Sequence, residues 1–373
     1  MSSIRGEGSN PTPSAQGASY FARALRRSPR PKDGGTRRSA SDDAGGHPLR
    51  LETEYCRPMH LDPSLFDLSL ADPETVALNS QLERLSKNLP NPIEVGIEPL
   101  REARRKGRGL FGPIVRSPNG IDRTIPGPDG PLRLRIFAPD QVDGVYLHFH
   151  GGGWAVGAAD YQDGRLEQIA NAAGVAAVSV DYRLAPEHPY PASADDSEAA
   201  ARWLIENSAA QFGTDRIVLG GSSAGAHLAV TTMLRMRDHH EFTGFAGAIL
   251  TYGFFDLSLT PSARNWGDRM LVMNTDLCRW FADAYAAGAN LTDPDVSPMY
   301  ADLTGLPPAL FIVGTLDPLL DDSVLLASRW TAAGNAADLM VVPGAAHGFA
   351  GAPTRVGSEA RERTDRFIAG CIA

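Results

Sequence analysis

The stretch of residues 216–228, R-I-V-L-G-G-S-S-A-G-A-H-L, constrains the fold of this chain more than any other. It joins an apolar run to a helical pattern through a G-x-S-x-G sequence at residues 221–225. Glycines two residues before and after the central serine remove the Cβ atoms that would clash where a strand folds back sharply into a helix. We therefore expect the hydroxyl of Ser223 to project from this turn, because Ser222 matches the pattern less well.

The chain on both sides of this turn alternates between apolar runs of strand length and helical patterns. Such alternation with short links predicts an α/β fold, a mostly parallel sheet with helices on both faces. Ligands of such sheets lie at the carboxyl ends of the strands. The first predicted strand alternates like an exposed edge strand. Strands are predicted at residues 132–138, 145–150, 175–181, 217–219, 247–251, 309–313 and 339–342, and helices at about 194–207, 224–237, 319–333 and 358–369.

The N-terminal part of the chain differs in composition. Residues 1–58 are rich in Ser, Gly, Pro and Arg, which cannot bury enough apolar surface to offset the entropy of ordering, so we expect a disordered extension. Residues 20–27 could instead form a short basic helix of the kind found in organelle transit peptides. Met59 opens the more globular sequence and is an alternative start. Residues 59–112 carry leucines at helical spacings, which predict helices that cap the main domain.

Residues 113–373 then form the main domain, with an insertion at about residues 256–302 that breaks the alternation. The insertion is too long for a turn and too apolar for a disordered loop, so we expect a helical piece lying over the strand ends as part of the cap. Its aromatic and sulfur-containing side chains either form the core of the cap or contact a substrate. The predicted substrate contacts are Trp154, Phe254, Trp266, Met273 and Trp280.

Composition excludes several functional classes. A chain of 373 residues with 43% hydrophobic content can bury a large core. The net charge is −9, and residues 1–58 carry +4, so the remaining acidic body gives no reason to expect a nucleic-acid partner. No apolar run could span a membrane or serve as a secretory signal, and three isolated cysteines suggest neither disulfides nor a metal site. We therefore expect a soluble, cytoplasmic protein.

A serine nucleophile needs a base within hydrogen-bonding reach and an acid that orients the base. Of nine histidines, only His347 lies beyond the serine's own helix in a glycine-rich loop after a strand. Two acids follow strands, Asp256 and Asp317, and both positions suit this topology. Asp317 is favoured, because Pro318 sets a helix start that holds the carboxylate at the turn.

The reaction also needs hydrogen-bond donors for a developing oxyanion. The sequence His-Gly-Gly-Gly-Trp at residues 150–154 follows a predicted strand directly, and its glycines leave backbone N–H groups free to face a site. Gly151 and Gly152, together with Ala224 after the nucleophile, are the predicted donors. A flexible linker is the alternative, but a linker at this place inside a core is unfavourable.

Together these motifs resemble the hormone-sensitive-lipase-like branch of the α/β-hydrolases. The resemblance covers about residues 75–370 and rests on His-Gly-Gly-Gly, on Tyr-Arg-Leu-Ala-Pro-Glu at residues 182–187, and on the order Ser223, Asp317, His347 with spacings of 94 and 30. It implies an eight-stranded α/β-hydrolase sheet, a cap built from the N-terminal helices and the insertion, and hydrolysis of short-chain carboxylic esters without a cofactor or metal. It also implies a homodimer.

Two positions depart from the family pattern. The family usually has Asp where Ser222 stands and often has a second Gly where Ala226 stands, but neither change removes a predicted catalytic group. We therefore expect a serine carboxylesterase acting on a small-molecule ester. The same three residues could also act on an amide, a lactone or a xenobiotic ester. A non-catalytic receptor is the remaining alternative, because the gibberellin receptors resemble this branch, but they replace the histidine that is present here as His347.

Overall fold

The structure is a computed structural model that describes residues 61–108, 110 and 113–373, so the predicted disordered extension at residues 1–58 lies outside the described residues. Eight strands form one sheet: β1 (Ile121–Gly127), β2 (Gly130–Phe137), β3 (Gly144–Phe149), β4 (Val175–Val180), β5 (Ile217–Ser222), β6 (Gly247–Thr251), β7 (Ala309–Leu316) and β8 (Ala337–Ala346). Their order is β1-β2-β4-β3-β5-β6-β7-β8. β1 pairs with β2 and β2 with β4 in antiparallel fashion, and all later pairs are parallel. The predicted mostly parallel eight-stranded sheet is confirmed.

Helices account for most of the remaining described chain. Among the described residues, no helix has the length and apolar character needed to cross a bilayer. The α-helices are α1 (Pro73–Asn88), α2 (Pro92–Val95), α3 (Ile97–Arg105), α4 (Asp163–Ala173), α5 (Ala192–Phe212), α6 (Ala224–His240), α7 (Pro261–Asn265), α8 (Thr275–Ala286), α9 (Leu320–Ala332) and α10 (Arg355–Ile372).

The helices cover both faces of the sheet because the central strands are apolar on both faces. All six residues of β3 are buried, as are all six of β4. Leu147 and its neighbours on one face pack in a core cluster with α5, α6 and α9, whereas Tyr146 packs on the other face with α4 and α10. This alternation of side chains along each strand is the two-residue period of a β-strand, and it produces a three-layer domain.

The insertion, residues 254–302, is fastened to the main domain at both ends. Near its start, the buried carboxylate of Asp322 on α9 accepts hydrogen bonds from the N–H of Phe255, from the N–H of Asp256 and from the hydroxyl of Thr260. Near its end, the guanidinium of Arg329 on α9 donates to the Ala301 carbonyl at 2.8 Å. The insertion is therefore an ordered part of the fold with a buried apolar core, as its apolar composition predicts.

The N-terminal helices pack beside the insertion and near the carboxyl ends of β7 and β8. Leu82 of α1 shares a small apolar cluster with Trp266 and Leu271 of the insertion, and with Ala346 at the end of β8. The buried amide of Asn79 on α1 donates to the Gly344 carbonyl at 2.7 Å. The predicted helices in residues 59–112 therefore lie next to the loops that carry the candidate site residues.

Two elements were missed from the sequence pattern, and one prediction is wrong. β1 and α4 were not predicted, because β1 is polar and largely exposed and α4 lies soon after the glycine-rich loop. The alternation of β2 predicted an edge strand, and this prediction is wrong. β1 forms the outer edge of the sheet, and β2 lies between β1 and β4. A single strand's pattern cannot show whether another strand pairs with its free side.

Candidate active site

The turn after β5 has the strained geometry that the G-x-S-x-G pattern predicts. Ser223 has a φ of 56° and a ψ of −121°, outside the regions that side chains favour, and α6 begins at the next residue. A Cβ atom at Gly225 would lie 1.9 Å from the carbonyl oxygen of Phe149 on β3, so only glycine fits there. The N–H of Ser223 donates to the Thr251 carbonyl of β6 at 2.9 Å, which fixes the turn at the carboxyl end of the sheet.

Three side chains from three loops meet at this turn. Nε2 of His347 lies 3.1 Å from Oγ of Ser223, and Nδ1 of the same ring lies 2.9 Å from Oδ2 of Asp317. All three side chains are buried. Because a carboxylate can only accept, Nδ1 carries the ring proton and Nε2 is left as the acceptor that faces the serine hydroxyl. This arrangement can remove a proton from Ser223.

The other candidate acid has different partners. Asp256 accepts from the hydroxyl of Ser258 at 2.6 Å and from the hydroxyl of Tyr300 at 3.2 Å. Asp317, by contrast, is held in place by its own turn, since its Oδ1 accepts from the N–H of Leu319 at 2.9 Å. The structure thus brings Asp317, and not Asp256, to the imidazole of His347.

The glycine-rich turn after β3 lies beside the serine, because β3 and β5 are neighbours and Phe149 is paired with Gly221. At Gly152 φ is 125°, and a Cβ there would lie 1.8 Å from the Val156 carbonyl oxygen. Only glycine fits at this position of the turn. The turn is closed by a hydrogen bond from the N–H of Val156 to the carbonyl oxygen of Gly152. Gly151 lies against the backbone of Ser222, which precedes the nucleophile, and Ala224 directly follows it. The role of Gly151, Gly152 and Ala224 as oxyanion donors stays a prediction.

A buried histidine joins this turn to α6 and to the insertion. Nε1–H of Trp154 donates to Nδ1 of His227 at 3.3 Å, and Nε2 of His227 lies 2.8 Å from the carbonyl oxygen of Val296. The first partner can only donate and the second can only accept, so His227 is a neutral imidazole with its proton on Nε2. Burial lowers the pKa of His227 to about 4. Both hydrogen-bond partners of His227 therefore lie outside α6.

The predicted substrate contacts occupy three kinds of environment. Trp154 is fully buried, with its ring stacked 4.5 Å from that of Tyr285, and Phe254 packs beside it. Met273 is buried in the main core cluster, whereas Trp266 packs in the cluster around Leu82 near β8. Trp280 is only partly buried and lies next to Phe281. Their roles in substrate binding stay predictions.

Sequence reasoning missed two residues that support the site. The ring of Tyr252, which follows β6 with a φ of 39°, lies 4.8 Å from that of His347. Arg101 of α3 donates to the carbonyl oxygens of Ala155 and Ala185 and makes two hydrogen bonds to Glu187. No local motif marks either residue, because both act on segments that are distant in sequence.

Comparison with known proteins agrees with this geometry. Residues 146–351, more than half of the chain, match the model of a family described as the alpha/beta hydrolase fold. The chain belongs to the alpha/beta hydrolase family. The resemblance to its hormone-sensitive-lipase-like branch is confirmed, because the alpha/beta hydrolases most similar to this chain include esterases of that kind.

Two relatives of this alpha/beta hydrolase are from Mycobacterium tuberculosis. Esterase LipI is 37% identical over 274 residues, which cover 69% of this chain and 83% of LipI. Carboxylic ester hydrolase LipN is 34% identical over 239 residues, which cover 61% of this chain and 63% of LipN, less than two thirds of that relative. Among solved structures, a hyperthermophilic esterase from the archaeon Pyrobaculum calidifontis has a TM-score of 0.72 at 30% identity and covers 81% of this chain and 99% of its own.

Proposed function

We propose that this alpha/beta hydrolase is a serine carboxylesterase that hydrolyses short-chain carboxylic esters through an acyl-enzyme on Ser223. The observation that carries the proposal is the continuous hydrogen-bond chain from Asp317 through His347 to Ser223 at the carboxyl ends of the strands. A serine hydroxyl is a weak nucleophile at neutral pH, and this chain of groups is the arrangement that activates it. The esterase names of the relatives support the same chemistry.

In the first half of the reaction, Oγ of Ser223 attacks the carbonyl carbon of the ester while Nε2 of His347 takes the hydroxyl proton. Asp317 holds the imidazole in the tautomer that can accept this proton and stabilises the imidazolium that results. The imidazolium then gives the proton to the alkoxy oxygen, the ester C–O bond breaks, and the alcohol leaves. The acyl group remains on Ser223.

In the second half, a water molecule takes the place of the alcohol. Nε2 of His347 removes a proton from the water as its oxygen attacks the acyl carbon, and the bond to Oγ of Ser223 then breaks. The proton on His347 returns to Oγ, the carboxylic acid leaves, and the enzyme is restored. The same imidazole therefore serves as base and acid in each half, which requires no cofactor.

The backbone N–H groups of Gly151, Gly152 and Ala224 are the proposed donors to the oxyanion that forms in both halves. The position of the glycine turn against Ser222 supports this assignment, because it brings the ends of β3 and β5 together. Loss of one such donor typically reduces kcat by about 10² to 10³. A side chain at Gly152 would clash with the Val156 carbonyl oxygen and displace these donors, so we expect this turn to tolerate none.

A short acyl chain is the proposed substrate preference. The ring of Phe281 on α8 covers Gly153, since a Cβ at that glycine would lie 2.3 Å from the ring. Ser223 itself is only 8% exposed. Both observations favour small acyl groups over long ones, and a small-molecule ester is the proposed partner. We also propose a homodimer, as the family resemblance implies, which light scattering on the purified protein tests directly.

The proposal is tested by two neighbouring substitutions and a substrate panel. Ser223→Ala should abolish turnover of p-nitrophenyl acetate and butyrate and prevent covalent labelling by a fluorophosphonate probe. Ser222→Ala is the matched control, and it should keep both properties. Full turnover or labelling in the Ser223→Ala protein would contradict the assignment. The panel adds an octanoyl ester, an anilide and a lactone, and faster turnover of the anilide or lactone would move the proposed activity to that bond.

A further inference from the structure

A cluster of three potential metal ligands lies where α5 meets the last turn of α6. Glu198 of α5 faces His239 and His240 of α6, and one ligand atom from each residue lies within 4.8 Å of the others. Nε2 of His240 is 2.6 Å from Oε1 of Glu198, and Nδ1 of His239 is 3.4 Å from the same oxygen. Because consecutive residues on a helix point in different directions, the two imidazoles reach this oxygen through different ring nitrogens.

The surroundings of the cluster favour a cation. Arg235, one turn earlier on α6, is buried and pairs with Asp295 of the insertion at 2.5 Å and with Asp195 at 2.7 Å. Its guanidinium also lies 3.4 Å from Oε2 of Glu198. One arginine therefore faces three carboxylates, which leaves this group of side chains with an excess of negative charge when both histidines are neutral. Arg235 also holds the second oxygen of Glu198, so Oε1 is left directed towards the histidines.

We propose that Glu198, His239 and His240 form a binding site for a divalent transition metal, with Zn²⁺ as the ion that this ligand set suits best. Two imidazole nitrogens and one carboxylate oxygen are typical zinc ligands, and neutral histidines supply them without added charge. His239 is half exposed and Glu198 is mostly buried, so the side of the site that faces solvent leaves room for water as the fourth ligand. The arginine contact to the carboxylate acts as an outer partner that orients the ligand.

The site is separate from the proposed chemistry. Ser223 precedes the first residue of α6 and His240 is its last, which places them about 25 Å apart along the helix. A metal here would connect α5 to the end of the helix that carries the nucleophile and would stabilise the folded state by binding to it. It should therefore raise the melting temperature without changing the rate of ester hydrolysis.

The test uses the full chain after removal of metals with a chelator. Isothermal titration with Zn²⁺ should give one site per chain, and a Zn²⁺ excess should raise the melting temperature. Glu198→Gln and His240→Ala should each weaken binding by at least about tenfold, which is the scale even for loss of a partner that only orients a ligand. Substitution with Co²⁺ should give the visible absorption of a cobalt ion bound by nitrogen ligands, and this band should be lost in His240→Ala.

His188→Ala is the matched control, because His188 is an exposed histidine outside the cluster and its removal should leave binding unchanged. Melting of each metal-free variant shows that it is folded. Absence of a one-to-one site, or equal Zn²⁺ affinity of the starting protein and both ligand variants, would overturn the proposal. Turnover of p-nitrophenyl butyrate should be the same with and without Zn²⁺, and a metal-dependent rate would contradict a site that is separate from the ester chemistry.

Discussion

Replacing His227 with glutamine is expected to reduce the loss of stability of this protein in mild acid. The folded protein holds His227 as a neutral ring between the Trp154 indole N–H and the Val296 carbonyl oxygen. A second proton on the ring would set two donors against each other across the 3.3 Å between Nε1 of Trp154 and Nδ1 of His227. A glutamine amide can accept from the indole and donate to the carbonyl with atoms at similar separation, and it takes no proton in this pH range.

The size of the expected change in stability with pH follows from the pKa of His227. Burial lowers the pKa of His227 from 6.5 to about 4, so between these values the unfolded chain binds a proton that the folded chain does not. Stability therefore falls as the pH falls through this window, and the penalty stops growing below the folded-state pKa. At pH 4.5 this difference in proton binding lowers the free energy of unfolding by about 2 kcal/mol relative to neutral pH.

Urea unfolding followed by tryptophan fluorescence at pH 7 and pH 4.5 measures this difference. The His227→Gln protein should lose about 2 kcal/mol less stability than the starting protein between the two pH values. His227→Ala should instead be destabilised at both, by about 2 to 6 kcal/mol, since it leaves the buried Trp154 and Val296 groups without partners. His188→Gln, at an exposed position, is the control for removal of a histidine. Identical acid losses with and without His227 would refute the reasoning.

Three further predictions concern the site and its supports. Asp317→Asn should lower kcat for p-nitrophenyl butyrate by about 10⁴, because the imidazole is then held in the wrong tautomer, whereas Asp256→Asn, whose carboxylate bonds Ser258 and Tyr300, should retain most activity. Gly152→Ala should lower both kcat and melting temperature, because the new Cβ would lie 1.8 Å from the Val156 carbonyl oxygen, while Gly351→Ala, where nothing lies within 4 Å, should change neither. Arg101→Met should cost about 1 to 3 kcal/mol for each of the two backbone carbonyls it leaves unpaired, measured by urea unfolding, whereas Arg105→Met, at an exposed ion pair, should change the unfolding midpoint little.

The fold was predictable where a strand is buried on both faces. β3 and β4 are buried, mostly apolar runs, interrupted only by His148 and Ser179. β1 was not predicted, because a polar edge strand is stabilised by its hydrogen bonds to a partner strand. The sequence of one segment does not show which partner it has. β7 and β8 also extend beyond their predicted ends, since the residues there, such as Gly314, are held by neighbouring strands and not by their own propensity.

The candidate site was predictable from motifs whose local geometry requires particular residues. The strained turn at Ser223 requires its glycines, and the loop position of His347 follows from the topology of the sheet. The contacts of Tyr252 and Arg101 could not be predicted, because they join segments far apart in the chain through ordinary polar and aromatic groups. His227 illustrates the limit: the sequence shows a histidine near the nucleophile, but only the structure shows which partner each ring nitrogen has.

The contacts of α6 also indicate which part of the insertion can move. α6 contacts one segment of the insertion at two points. Arg235 forms an ion pair with Asp295, and His227 hydrogen-bonds to the carbonyl oxygen of Val296. Displacing this segment would break the ion pair of the buried Arg235 and leave the buried Nε2–H of His227 without an acceptor, and both changes are costly. Movement that admits an ester is therefore expected in the part of the insertion before α8, where Trp266 and its neighbours are more exposed and pack against α1 rather than against the nucleophile helix.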